Sequence, residues 1–355
     1  MVRRWRSALV VLASFAVVLA GCGSSGAAGG TRAHADTAPR RAGNTSNSGN
    51  TGQQPASPRA QLLVALRGAP SSFEEQIRIE ERGLGALGAG IKGPFVIAAT
   101  GRFDASTRRV GFVLNLPSNL GAIGSMGSMG SIGQIPSLQM IVDEQADAVY
   151  LKVPPSLRRQ ARTAKAWVEE SLGGLTSGEA NAFGGGAFDP PRFMGQLGTL
   201  AAGAAQVERL GQVELGGVAT TEYEIVTSGS GLAKVLAKKA SPLATKSSKI
   251  LSLIGTLRYY VYVDGSSRVR EIRFSIDLGK LLSHVLGSLV PGQGSLPASA
   301  KAGLSKVSET CTMTIGDFGA AVHVLVPPPS EVHKLSGNGL NLLGLPSSTG
   351  SSASL

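Results

Sequence analysis

The stretch Leu257-Arg258-Tyr259-Tyr260-Val261-Tyr262-Val263-Asp264-Gly265-Ser266-Ser267-Arg268-Val269-Arg270-Glu271-Ile272-Arg273-Phe274-Ser275-Ile276 is the clearest β-hairpin in the chain. Two runs rich in β-branched and aromatic residues, Leu257 to Val263 and Val269 to Ile276, flank a cluster of turn residues at Asp264-Gly265-Ser266-Ser267. Working outward, similar pairs recur. Phe95, Ile97, Ala99 and Phe103 share one face of a strand, and after a turn at Asp104 to Arg108 so do Val110, Phe112, Leu114 and Leu116. Leu138 to Val142 and Ala148 to Val153 make a further pair around Asp143 to Asp147. Gln206 to Leu215 and Ala219 to Val226 turn at Gly216-Gly217, with Thr221, Tyr223 and Ile225 on one side. Glu309 to Ile315 and Ala321 to Val326 are the last expected strands, and Cys311 alternates with Met313 and Ile315 on an apolar face. Strands with one apolar side describe an antiparallel meander that covers itself on one face.

Short helices are expected between these strands. Gln61 to Arg67 is one candidate, and Pro154-Pro155 starts another that runs through Arg162. Asp189-Pro190 places an N-cap before a first-turn proline, with Phe193, Leu197 and Leu200 at helical spacing. Leu232 to Lys239, with Ile250 to Gly255 after Pro242, and the strongly apolar run Leu278, Leu281, Leu282, Val285, Leu286 and Leu289 complete the set. Ser72-Phe73-Glu74-Glu75 reads two ways. It has the form of a capping box, yet Ile77 and Ile79 alternate with Arg78 and Glu80, and the strand is preferred.

The ends of the chain have a different character. Arg3, Arg4 and Arg6 precede an apolar run from Ala8 to Leu19, too short for a comfortable membrane span, and Leu19-Ala20-Gly21-Cys22 has the pattern of a bacterial lipobox. Residues 1–21 are therefore expected to be a lipoprotein signal peptide, and Cys22 the acylated anchor on the outer face of the cell membrane. Residues 22–58, dominated by Gly, Ser, Ala, Thr, Asn and Pro, have no apolar period and read as a tether. A coil of that length spans about 30–36 Å. Residues 59–335 form the folded domain, and residues 336–355 read as a disordered tail. With Cys22 acylated, Cys311 has no intramolecular partner, so the domain must be stable without a disulfide.

Composition narrows the function. The 355 residues include 48 Gly and only 5 % aromatic residues, which suits a β protein with flexible loops. The formal charge is +11, three units of which leave with Arg3, Arg4 and Arg6, and the balance suits a partner such as anionic lipid or wall polymer. Nucleic acid is excluded as a partner because the chain is exported and its basic residues are scattered. Gly83-Leu84-Gly85-Ala86-Leu87-Gly88 has the spacing of a dinucleotide fingerprint, but Ala89-Gly90-Ile91-Lys92-Gly93-Pro94 cannot form the helix that would hold a pyrophosphate. Asp317-Phe318-Gly319 copies a kinase triplet without any companion motif. The four histidines lack metal-ligand spacing, no nucleophile has a base partner, and Asp143, Glu144 and Asp147 fall in a turn. The chain is not expected to be an enzyme and no cofactor is implied. Asn119 to Pro136 repeats Gly and Ser with Ile123, Met126, Met129 and Ile132, either a lid over an apolar opening or a plain inter-strand loop.

The order lipobox, tether, meander, then Tyr150-Leu151-Lys152-Val153-Pro154, Lys165-Ala166-Trp167-Val168 and Gly216-Gly217-Val218-Ala219-Thr220-Thr221-Glu222-Tyr223 resembles actinobacterial lipoproteins of the LprG/LppX type, related in fold to the LolA carriers. Tyr260-Val261-Tyr262-Val263-Asp264-Gly265 and the ending from Asp317-Phe318-Gly319 to Val326-Pro327-Pro328 look like that family's later hairpin and closing strand. The resemblance implies an α+β fold, a curved antiparallel half-barrel with helices on its concave face and an apolar cavity for acylated lipids or glycolipids between them. The expected cavity residues are Phe95, Ile97, Phe112, Leu114, Tyr223, Ile225, Ile272 and Phe274 on the sheet, with Phe193, Leu197, Leu282 and Leu286 on helices; Met126 and Met129 would lie in the lid. The expected protein is a monomer that holds or transfers lipid. The alternative is a closed core of the same residues, displayed as a non-enzymatic interaction or sensor module toward an envelope protein or wall polymer.

Overall fold

The computed structural model describes residues 56–68, 72–83, 94–115, 137–155, 158–159, 163–171, 190–231, 256–279, 283 and 302–335. Their elements in chain order are α1 (Pro58–Arg67), β1 (Ser72–Arg82), β2 (Phe95–Asp104), β3 (Arg109–Asn115), β4 (Ser137–Asp143), β5 (Ala148–Lys152), β6 (Trp167–Ser171), α2 (Pro190–Gly203), β7 (Gln206–Leu215), β8 (Val218–Ser228), β9 (Thr256–Asp264), β10 (Val269–Asp277), β11 (Ser308–Gly316) and β12 (Val332–Lys334). All twelve strands belong to one open curved sheet in the order β12-β6-β5-β4-β3-β2-β1-β11-β10-β9-β8-β7. Every pairing is antiparallel except the short parallel contact of β12 with β6. The described part is thus mostly sheet.

Three hairpin turns are closed by the same device. At the end of β2, Asp104 accepts hydrogen bonds from the Ser106 amide at 3.0 Å and the Ser106 hydroxyl at 2.6 Å. At the end of β4, Asp143 accepts from the Ala146 amide at 3.0 Å and from Arg109 Nε at 2.8 Å. At the end of β9, Asp264 accepts from the amides of Ser266 at 2.9 Å and Arg268 at 3.0 Å. An Asp side chain that takes up backbone N–H groups two to four residues on fixes the reversal locally. Each turn then passes through a left-handed residue, Arg108 (φ 51°), Asp147 (φ 52°) and Ser267 (φ 60°). The β7–β8 turn solves the same problem with two glycines, Gly216 (φ 56°) and Gly217 (φ 80°), the signs a two-residue I′ turn requires.

The ambiguous segment after Ser72 is the strand β1, because it pairs along both edges, with β2 and with β11. The helix expected from Gln61 begins earlier, at Pro58, where the Ser57 hydroxyl caps it by accepting from the Ala60 amide at 3.3 Å. The expected strand Ala321 to Val326 joins no ladder. Its alternation is real, with Val322 and Val324 buried, but the segment lies as a strap whose valines pack on Ile141 and Trp167, on the outer face of the sheet. Gly111 makes room for it, since a Cβ there would sit 3.3 Å from Val324 Cγ1. Val332–Lys334, three residues long, is the strand that follows and pairs instead. The signal peptide, Cys22, the Met126 segment, the C-terminal tail and the helices expected at 232–239 and 250–255 lie outside the described residues, as does most of the run from Leu278 to Leu289 and of the helix expected from Pro154.

Gly83, first residue of the dinucleotide-like run, has a structural reason to be glycine. Its φ is +81°, and a Cβ would lie 2.4 Å from the Lys306 carbonyl oxygen. Gly83→Ala should therefore lower stability by on the order of 2–4 kcal/mol, read as a shift of the urea midpoint. Gly265→Ala, which meets nothing within 4 Å, should change it by less than about 0.5 kcal/mol.

Candidate functional site

Strand register assembles the apolar face in transverse rows. In one row Ile97 lies beside Ile79, Ile79 beside Cys311, Cys311 beside Phe274, Phe274 beside Tyr259, and Tyr259 beside Ile225. The next row runs Leu114, Ala99, Ile77, Met313, Ile272, Val261 and Tyr223. Toward the other wing, Phe112 pairs with Met140, Met140 with Leu151, and Leu151 with Val168. Tyr259 and Phe274 meet ring to ring at 5.3 Å.

The sheet residues expected from sequence are therefore on one face. Phe95, Ile97, Tyr223, Ile225, Ile272 and Phe274 belong to a single core cluster with Leu197 of α2; Leu114 packs against it, and Phe112 is buried beside Gly101 on the same face. Helices α1 and α2 both contribute to this cluster. Leu62, Ala65 and Leu66 come from α1, and Met194, Leu197, Leu200 and Ala201 from α2, at the three- and four-residue spacings of one helix face. The helices are in van der Waals reach at Gly198, where a Cβ would meet Leu66 Cβ at 3.8 Å. Tyr223 donates to Gln61 Oε1 at 2.9 Å and ties α1 to the sheet; burial raises its phenol above the ordinary value. Phe193 lies within α2, but its side chain is outside the described residues, as are Leu282, Leu286, Met126, Met129 and Cys22.

A recess opens at one end of this core, between the C-terminal end of α1, the first half of α2 and the β9–β10 turn. It is lined by Ala65, Phe73, Met194, Ile315, Phe318 and Arg268, among others, and measures about 300 Å³ with its open mouth. Its enclosed part is no larger than a water molecule. Among the described residues no group of three or more His, Cys, Asp or Glu side chains could hold a metal ion, and no helix is long and apolar enough to cross a membrane.

Sequence reasoning missed the carboxyls on the apolar face. Glu81 and Glu309 stand directly opposite one another on β1 and β11, in the row of Phe95, and each is 1 % exposed. As carboxylates their oxygens find no hydrogen-bond donor, whereas one proton between them makes a hydrogen bond. Burial raises Glu81 to about 7, opposed by that bond, and raises Glu309 to about 9 with the charge of Glu81 adding to it. Glu75 is buried on the same face, where Gly101 leaves it space: a Cβ at Gly101 would come within 2.5 Å of Glu75 Oε1 and of the Phe112 ring. The signal was in the phase of the alternation, because Glu309 stands two residues before Cys311, and Glu75 and Glu81 flank Ile77 and Ile79 at even spacing.

The chain matches no known protein family and no curated protein. Among solved structures it is similar to the lipoprotein LppX of Mycobacterium tuberculosis, with 15 % identity over 75 % of this chain and 96 % of that one and a TM-score of 0.37. It is similar also to LprF from Mycobacterium bovis, with 13 % identity, coverage of 77 % and 96 %, and a TM-score of 0.37. A putative outer membrane lipoprotein-sorting protein domain from Vibrio parahaemolyticus follows at 7 % identity, 75 % and 92 % coverage and a TM-score of 0.22. LppX is a lipoprotein of the type that the sequence motifs resemble.

The carboxyl pair makes stability depend on pH with a definite sign. Unfolded glutamate titrates near pH ~4.3, so between there and the raised folded values the native state binds more protons, and stability falls as pH rises through that window. Glu309→Gln removes part of this dependence. It should be more stable than the wild type by on the order of 2 kcal/mol at pH 8 and lose that advantage near pH 4, in urea titrations across pH; an unchanged slope would show that the pair is not buried as described.

Proposed function

We propose that this chain is an envelope lipoprotein, anchored through acylated Cys22 to the outer face of the cell membrane, that holds or transfers a lipid or glycolipid. The ligand would lie between the concave face of the sheet and the helices across it. The observation that carries this reading is the broad apolar face, two rows of which run in register across β2, β1, β11, β10, β9 and β8, with Phe112, Met140, Leu151 and Val168 extending the same face toward β6. An open sheet of this width with one apolar side offers acyl chains contact along its length, and apolar contact supplies affinity while a few polar groups at the rim choose the headgroup. Residues 22–58 would let the domain move a distance comparable to its own width above the bilayer. The chain acts as a monomer and not as an enzyme on this reading.

A second reading is favoured by the packing of the same residues. Phe95, Ile225, Ile272 and Leu197 are at most 2 % exposed and belong to one cluster, as the core of a closed domain would be. The chain would then be an interaction or sensor module that meets an envelope protein or wall polymer through its surface.

Organic extraction of the full-length chain with Cys22→Ser, purified without detergent, separates the two. Reproducible co-purifying lipid in native mass spectrometry is expected for a carrier, and a chain that arrives empty and refuses added phospholipid is the closed module. Phe274→Trp adds a second measure. In a carrier it should lower lipid occupancy severalfold with a stability loss below about 1 kcal/mol, whereas in a closed core overpacking should cost about 1–3 kcal/mol.

A further inference from the structure

The β9–β10 turn carries more positive charge than its fold requires. Asp264 closes the turn through backbone amides, yet two arginines also converge on it: Arg268 Nε donates to Asp264 Oδ2 at 2.9 Å and Arg270 Nε donates to the same oxygen at 2.8 Å. Although burial opposes it, these hydrogen bonds hold the Asp264 carboxyl below its usual value, so it is ionised and balances only one of the two guanidinium groups. Both groups stand over the ring of Phe318, at 5.2 Å for Arg268 and 4.6 Å for Arg270. Each therefore has one edge held by the carboxylate and one face held by the ring, which sets its direction before any ligand arrives. Their Nη groups donate to no acceptor among the described residues. Arg268 remains 43 % exposed and lines the recess, whose other walls include Ala65, Phe73, Met194 and Ile315.

We infer that Arg268 and Arg270 form an anion subsite beside this recess, which receives the phosphate of a ligand whose apolar part enters at the open mouth of the recess, on the side of Phe73, Met194 and Ile315. The inference rests on the lipid-binding reading for the apolar part of the ligand, but not for the phosphate. Paired guanidinium forks match phosphate oxygens in geometry as well as charge, and an apolar wall directly beside them lowers the local dielectric and strengthens the contact. A neutral lipid gains nothing from the arginines. A free phosphate gains nothing from the wall.

The full-length chain with Cys22→Ser can be titrated, without detergent, with three probes: 1-oleoyl-lysophosphatidate, 1-monooleoylglycerol and inorganic phosphate. The subsite predicts that lysophosphatidate binds at least tenfold more tightly than monooleoylglycerol and that added salt narrows the gap. Arg268→Gln with Arg270→Gln should weaken lysophosphatidate binding about tenfold or more and leave monooleoylglycerol within twofold. Because these arginines also brace the turn, Arg268→Lys with Arg270→Lys is the companion variant; it keeps the charge, loses the fork and should fall between the two. Equal binding of the two lipids, with no effect of either double variant, would overturn the subsite while leaving lipid binding intact. Binding of inorganic phosphate alone, lost in the double Gln variant, would uphold the anion subsite and overturn its lipid ligand. If no probe binds to the folded chain, both inferences fail.

Discussion

The pairing of β1 with β11 is the contact on which the sheet depends. It joins Glu74 to Gly316 and Arg82 to Ser308 through nine successive residue pairs, across most of the length of the folded chain. Strands β2 to β6, with β12 beyond them, lie on one side of this seam and β10 to β7 on the other, so it joins two meanders into one sheet. Closing so long a loop costs entropy before any side chain is buried. The apolar rows offset that cost, since each row crosses the seam and gains burial only when both wings are in register.

The seam also contains an unfavourable pair. Glu81 and Glu309 face each other inside it, where burial alone would prefer two apolar residues. Holding one proton between them avoids placing two charges in an apolar row, and this makes the seam lose stability as pH rises. The Asp residues of the hairpin turns show the contrary solution. Asp104 and Asp264 are also buried, but they are surrounded by N–H and O–H donors that favour the ionised form. The same functional group serves opposite ends because donors converge on it at the turns and are missing in the row.

Much of this was legible in one dimension. The hairpin from Leu257 to Ile276, the turn at Gly216-Gly217, the helix after Asp189 and the apolar phase of Cys311, Met313 and Ile315 all follow from period and turn chemistry, because these are local properties. The sheet residues of the expected site share one face for the same reason. Ala321 to Val326 was misread because period 2 reports only that one side of an extended segment is buried, and packing of Val322 and Val324 on an outer face produces the same pattern as pairing in a ladder.

By itself the sequence determined most of the strands and hairpin turns and which side of each such strand is apolar, since backbone preference and alternation act over a few residues. Only the tertiary structure decided which strands are neighbours. That choice set Glu81 against Glu309, brought Phe318 from beyond β11 under Arg268 and Arg270, and placed Arg268 beside α1 and α2. Residues so far apart in sequence leave no periodic trace of one another, because their proximity is fixed by the burial gained when the whole sheet closes.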